Sequence, residues 1–172
     1  MENVRVLEDS QVEAFDVDYM YESRWKRLRA FIDRDFPDGE FRLLDVGGGN
    51  GAFADLVLSC YPRASVVVVD LSELLLSRNK PHPRKTLVRG SATELQSIEG
   101  PFDILCCNWL LHHLVGDSYR QSLRNIRGTL AECRRLLRPK GRLCVWENLY
   151  DGMVFDGDRK STRLNSSHRT GS

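Results

Sequence analysis

The sequence predicts an α/β fold in which a mostly parallel sheet carries helices on both faces. Two observations predict it. Apolar periodicity switches repeatedly between short strand-like runs and helical stripes, and the strongest run, "SVVVVD", is unbroken and β-branched, as in strands buried on both sides. The order along the chain is β-α-β-α-β-α-β-α-β. That alternation requires right-handed crossovers and puts ligands off the C-terminal ends of the strands.

The elements follow in order. Tyr21, Trp25, Leu28 and Ile32 recur at helical spacing, giving one apolar face of a helix that ends before "FPDGE". "FRLLDV" reads as a short buried strand. From Gly51 the period changes, with Phe53, Leu56, Val57 and Cys60 on one face of a helix that Pro62 stops. "SVVVVD" is the second strand, and "LSELLLSRN" a short helix before the Pro-rich turn "KPHPRK". "TLVRG" is the third strand, "TELQSI" a helical turn, and "FDILCCN" the fourth strand. Leu123, Ile126, Leu130, Cys133 and Leu137 then form a helical stripe that closes at "LRPKG", where Arg134, Arg135 and Arg138 suit the negative end of a helix. "RLCVWENL" is the fifth strand.

With 172 residues, 41% hydrophobic and 28% charged, the chain suits one globular domain. No run reaches the roughly 18 apolar residues that would cross a bilayer, and the polar, acidic N-terminus is unlike a signal peptide, so a cytoplasmic protein without a membrane partner is expected. Cys60, Cys106, Cys107, Cys133 and Cys144 form no CxxC and mostly sit in apolar runs; they read as small core residues, and no metal site is expected.

Residues 158 to 172, "DRKSTRLNSSHRTGS", almost lack apolar side chains. Over residues 158 to 168 they match the in-frame translation of a common sequencing adapter. The expected organisation is one domain over 1–157, truncated at its C-terminus, with a non-native, disordered tail over 158–172. The tail carries Arg159, Lys160, Arg163 and Arg169 against Asp158, so residues 1–157 hold a net charge of −2 while the whole chain holds +1. A mildly acidic domain carries no electrostatic footprint for nucleic acid.

Asp45, Gly47, Gly49, Gly51, Asp70, Ser91 and Asn108 all fall at or just past the ends of successive strands. The glycines let the backbone pass close beneath a ligand whose polar end meets the N–H groups opening the next helix. Asp70 lies 23 residues after Gly47, about the offset at which an acid accepts the hydroxyls of an adenosine ribose. Two cofactors compete. Gly47-x-Gly49-x-x-Ala52 satisfies the dinucleotide fingerprint of nicotinamide-dependent oxidoreductases. Asp45, however, would face a pyrophosphate with like charge and would favour a ligand bearing an ammonium and a sulfonium, as S-adenosylmethionine does.

"LLDVGGGNG" resembles the D-x-G-x-G-x-G signature of class I S-adenosylmethionine-dependent methyltransferases. "VVVVD", "GSATEL", "FDILCCNWLLHHL" and "LRPKGRL" resemble that family's later motifs in the same order, the whole covering residues 41 to 147. The resemblance implies a Rossmann-like, doubly wound sheet, here lacking the family's last two strands, and an intact gene product that methylates an acceptor. Gly47 to Gly51 would hold the methionine moiety with Asp45 supporting the loop. Asp70 would bind the ribose hydroxyls, Leu71 would pack on adenine, Ser91 and Ala92 would flank its edge, and Asn108 would sit beside the reactive methyl. Ser91 stands where family members commonly have an acid. A hydroxyl accepts the adenine amino hydrogen bond with less charge assistance.

Methyl transfer is an in-line displacement that alignment and exclusion of water can accelerate, so a base is needed only for an acceptor that still holds its proton. His113 and His112 are the candidates, the alternative being that both only pack. Trp109 reads as a pocket wall, and Tyr19, Tyr21 and Arg24 as possible caps over the cofactor. "NWLL" replaces the N-P-P-Y-type amine motif, and there is no basic groove, so a small-molecule acceptor is expected. A non-catalytic module that keeps the cofactor site is the remaining alternative.

Overall fold

The computed structural model describes residues 22–147. Five strands, β1 (Arg42–Val46), β2 (Ser65–Asp70), β3 (Lys85–Arg89), β4 (Phe102–Asn108) and β5 (Leu137–Trp146), form one sheet in the order β3-β2-β1-β4-β5. Every pairing is parallel. The chain therefore builds outward from β1 in one direction and then restarts on its other side with β4. That reversal opens a crevice beyond the C-terminal ends of β1 and β4.

Alternating residues of the central strands feed two cores. On one face Leu43, Val66, Val68, Ile104 and Cys106 pack beneath helices α1 (Glu22–Asp35) and α2 (Ala52–Cys60), which contribute Leu28, Ile32, Phe53 and Val57. On the other, Leu44, Val46, Val69, Leu105 and Cys107 meet Cys133 and Leu136 of α4 (Tyr119–Leu136). Burying a side chain such as Leu28 or Ile32 contributes about 2 kcal/mol, which is why the helical spacing of α1 was a dependable signal. The short α3 (Glu73–Ser77) begins where the Ser72 hydroxyl accepts from the Leu75 N–H, so it is narrower than the expected span.

Three local expectations are corrected. "TELQSI" forms turns, not helix; Leu95 and Ile98 are still buried there, so burial is supplied without helical geometry. The inward face of α4 is Ser122, Asn125, Thr129, Cys133 and Leu136, whereas Leu123, Ile126 and Leu130 are only half-buried. The reason is polar: the Gly116 N–H donates to Ser122 Oγ, Gln121 donates to Asn125, and the Asn125 amide reaches the Leu114 carbonyl, stapling the preceding loop to this face. Leu137 opens β5 instead of closing α4. The strand is irregular until Arg142, with Lys140 at φ 66° and the register to β4 shifting between Phe102 and Ile104. The expectations for Tyr19, Tyr21, the chain end near Gly157 and the 158–172 tail concern residues outside the described span. Among the described residues, no helix is long and apolar enough to cross a membrane.

Candidate active site

The glycine loop follows β1 directly, and its shape is set by what lies behind it. Gly47, Gly49 and Gly51 take φ of 74°, 54° and 74°, the left-handed region that other residues enter only with strain. Gly48 has no such dihedral, yet a Cβ there would stand 2.5 Å from Asp45 Oδ2 and 2.8 Å from Val68 Cγ1. It is glycine because of close approach, a requirement that the motif spacing leaves invisible. The loop is tied to the end of β2: the Gly47 and Gly48 N–H groups donate to the Val69 carbonyl at 2.7 and 3.3 Å, and the Gly49 N–H donates to Asp70 Oδ2 at 2.8 Å. Asp70 uses its other oxygen to accept from the Ser72 N–H at 2.8 Å.

Asp45 is 1% exposed. Asn108, at the end of β4, donates to its Oδ1 at 3.4 Å, while Asp45 Oδ2 and Asn108 Oδ1 are both buried acceptors that no donor reaches. Burial, reinforced by the Asp70 charge and opposed by the Asn108 hydrogen bond, pushes the Asp45 carboxyl up to about 7. Burial also raises Asp70, against the pull of the Ser72 and Gly49 N–H groups. Two mutually repelling acids and two idle acceptors make a site that a cationic donor group would complete.

The structure brings Asp45, Gly47, Gly49, Gly51, Asp70 and Asn108 into one connected cluster, as their positions predict. Leu71, next to Asp70, is exposed and able to cover an apolar ring. Ser91 and Ala92 follow β3, whose end is joined to β2 by the Gly90 N–H donating to the Asp70 carbonyl at 3.0 Å. The Ser91 hydroxyl is engaged with Thr93 at 2.9 Å and caps its own turn.

After β4 the chain turns back over this cluster. Trp109 has φ 49° and donates its N–H to the Trp146 carbonyl. Leu110 packs so closely on Gly47 that a Cβ there would be 2.7 Å from its Cδ1. The 3-10 turn Leu111–His113 comes next. Glu147, just past β5, accepts the Leu111 N–H on Oε1 at 2.6 Å and holds His112 Nδ1 on Oε2 at 2.8 Å. The His112 and His113 rings lie 4.0 Å apart. Burial and the neighbouring His112 push His113 down to about 4, against the Glu147 charge, so His113 is neutral at neutral pH. Arg24 stacks 3.5 Å over the Trp109 ring.

Sequence reasoning missed Asn79 and Glu147, and it included Gly48 only as part of the loop. Asn79 carried no motif signal, and Glu147 was legible only as a strand residue. A cavity of about 500 Å³ lies at the opposite, N-terminal ends of the strands, lined in part by Asp35, Arg42, Asp103 and Arg138. Two of its carboxylates are already paired, Asp103 with Arg138 at 2.6 Å and Asp35 with Arg142 at 2.7 Å, and it is remote from the strand ends that gather the acids. Among the described residues no group of three or more His, Cys, Asp or Glu side chains could hold a metal ion.

Comparison with known proteins adds three findings. A family model described as "Methyltransferase domain" matches residues 44–145. The chain is 32% identical over 130 residues to the ubiquinone/menaquinone biosynthesis C-methyltransferase UbiE of Dinoroseobacter shibae and 35% identical over 130 residues to that of Paracoccus denitrificans, in each case over 72% of this chain and 48% of the other. It thus spans about half the length of these curated relatives. Among solved structures, the plantazolicin methyltransferase BpumL, in complex with an analogue and SAH, superposes with a TM-score of 0.67 at 14% identity, covering 95% of this chain and 58% of that one.

Proposed function

Because the chain belongs to the class I S-adenosylmethionine-dependent methyltransferase family, we propose that it binds S-adenosylmethionine at the glycine loop and methylates a small-molecule acceptor beside His112. The observation that carries this reading is the junction at Leu110, whose side chain rests on Gly47 while the next residues present the histidine pair. Cofactor cradle and proton-handling group are thereby fixed to each other.

When bound, S-adenosylmethionine supplies an electrophilic methyl group on a sulfonium. The chain's own residues orient and balance it. Asp45 Oδ2 and Asn108 Oδ1 are the idle acceptors that suit its ammonium, Asp70 suits its ribose hydroxyls, and Leu71 its adenine. The dinucleotide alternative is disfavoured by the same Asp45 and by family membership. His112 is the base: with Nδ1 bound to the Glu147 carboxylate, Nε2 keeps the lone pair that can take the acceptor's proton. His113, the first candidate from the sequence, is the neutral neighbour stacked on that ring. A small acceptor is supported by relatives named for quinone biosynthesis and by the mild negative charge of residues 1–157.

Incubation with tritium-methyl S-adenosylmethionine and a small-molecule extract should move label into an organic-soluble product. Glu147→Gln should lower that rate by about 10²-fold and alter its pH profile, with affinity for S-adenosylhomocysteine kept within about twofold. Undiminished transfer by both Glu147→Gln and His112→Ala would remove the base assignment. Absence of S-adenosylhomocysteine binding by the wild-type chain would remove the whole reading.

A further inference from the structure

Asn79, just beyond α3, is 8% exposed and belongs to no motif. Its side-chain amide nevertheless spends both hydrogens inside the molecule, on the Gly49 carbonyl at 2.9 Å and on the Leu75 carbonyl at 3.3 Å. Gly49 is consequently held on both sides, its N–H by Asp70 and its C=O by Asn79. The other half of the amide is poorly served: Asn79 Oδ1 is buried with no donor reaching it. It occupies the space that a Cβ on Gly51 would take, with Lys85 Nζ 3.2 Å from the same point. Lys85, its side chain 1% exposed, pairs with the half-buried Asp55 of α2 at 2.6 Å, so this corner is backed by an ion pair. An apolar side chain would fill the space and remove the orphaned Asn79 oxygen. What an apolar side chain lacks is the donor to Gly49.

We infer that Asn79 is a positioning residue for cofactor binding: its amide holds the Gly49 carbonyl and keeps the glycine loop in the shape the ligand meets. The inference rests on the S-adenosylmethionine reading and extends it. Asp70 already accepts the Gly49 and Ser72 N–H groups, one on each oxygen, and its remaining lone pairs would take the ribose hydroxyls, so this carboxylate is shared between loop and ligand. Gly49 sits at a φ of 54°, where a glycine has wide freedom. With Asp70 shared in this way, the Asn79 amide is the side-chain hydrogen bond on Gly49 that serves the loop alone, and without it the loop would lose the shape the ligand requires.

The test compares the wild-type chain with Asn79→Ala and Asn79→Leu by titration calorimetry with S-adenosylhomocysteine, by thermal unfolding without ligand, and by amide exchange at residues 47–51. Both variants should bind roughly five- to tenfold more weakly, the value of one lost hydrogen bond, and exchange faster in the loop. The leucine variant should do so while unfolding no earlier than wild type, because it removes the orphaned oxygen and fills the space. Wild-type affinity in both variants would overturn the inference. So would weak binding by Asn79→Ala that Asn79→Leu restores, since Asn79 would then be filling space only. Failure of the wild-type chain to bind S-adenosylhomocysteine would instead strike the cofactor reading on which this one rests.

Discussion

The two ends of the site are built to different standards. Around β1 and β2 the groups are closely packed: Asp45 and Val68 press on Gly48, Asn79 presses on Gly51, and both sides of the Gly49 residue are tied. Around β5 the construction is open, with Leu143 37% and Val145 39% exposed and no residue of the strand buried among the described ones. An invariant ligand can be met by a rigid cradle made from the middle of a sheet. An acceptor that differs from one methyltransferase to another is better served at the sheet's margin, where residues change at little cost to the core.

The largest effect should come from forcing a methyl group into the enclosed end. Gly48→Ala sets a Cβ against Asp45 Oδ2 and Val68 and should destabilise the chain by about 1–3 kcal/mol, with S-adenosylhomocysteine affinity falling more than about tenfold; denaturant unfolding and calorimetry read both. A tolerated alanine would mean that the cradle is no tighter than the margin.

Asp45→Asn sharpens the comparison by separating stability from binding. The carboxyl rises from 3.8 in the unfolded chain to about 7 in the fold, so its contribution to stability is fully present below pH 3.8 and is lost as pH climbs through 7. His113, pushed down to about 4, acts in the opposite direction, costing stability as pH falls below 6.5. Subtracting variant from wild type isolates Asp45. The variant's advantage in ligand-free melting temperature should grow from pH 4 to about pH 7 and then level off, reaching at least about 3 °C, while its affinity for S-adenosylhomocysteine drops roughly tenfold or more. A difference that is flat with pH would show that Asp45 is not held near neutrality.

The smallest effects belong to the margin. Val66→Ala in β2 should cost about 2 kcal/mol, Val145→Ala in β5 less than about 0.5 kcal/mol, as denaturant midpoints would show. Equal losses would mean that β5 is covered as well as the centre is.

This contrast also explains what the sequence could and could not reveal. β2 was legible because four consecutive valines fit nothing but a doubly covered strand, and Asp45, Asp70 and Asn108 were legible because strand ends in a parallel sheet converge. α4 misled because Ser122, Asn125 and Thr129 look like a solvent face until the loop carbonyl of Leu114 and the Gly116 N–H are seen to engage two of them. Glu147 was hidden for a similar reason. Its role depends on the pairing of β4 with β5, which brings residues 35 positions apart within 2.8 Å, and spacing along one chain carries no trace of that.

Glu147 follows β5, the end strand of the sheet among the described residues, and is hydrogen-bonded to Leu111 and His112. Local opening begins where a strand has least support, so gentle warming should detach the carboxylate from His112 well before the valine-lined centre gives way. Between those two temperatures, if the proposed base is right, the cradle would keep its shape while His112 lost the carboxylate that orients it, a loaded tool with a slack trigger.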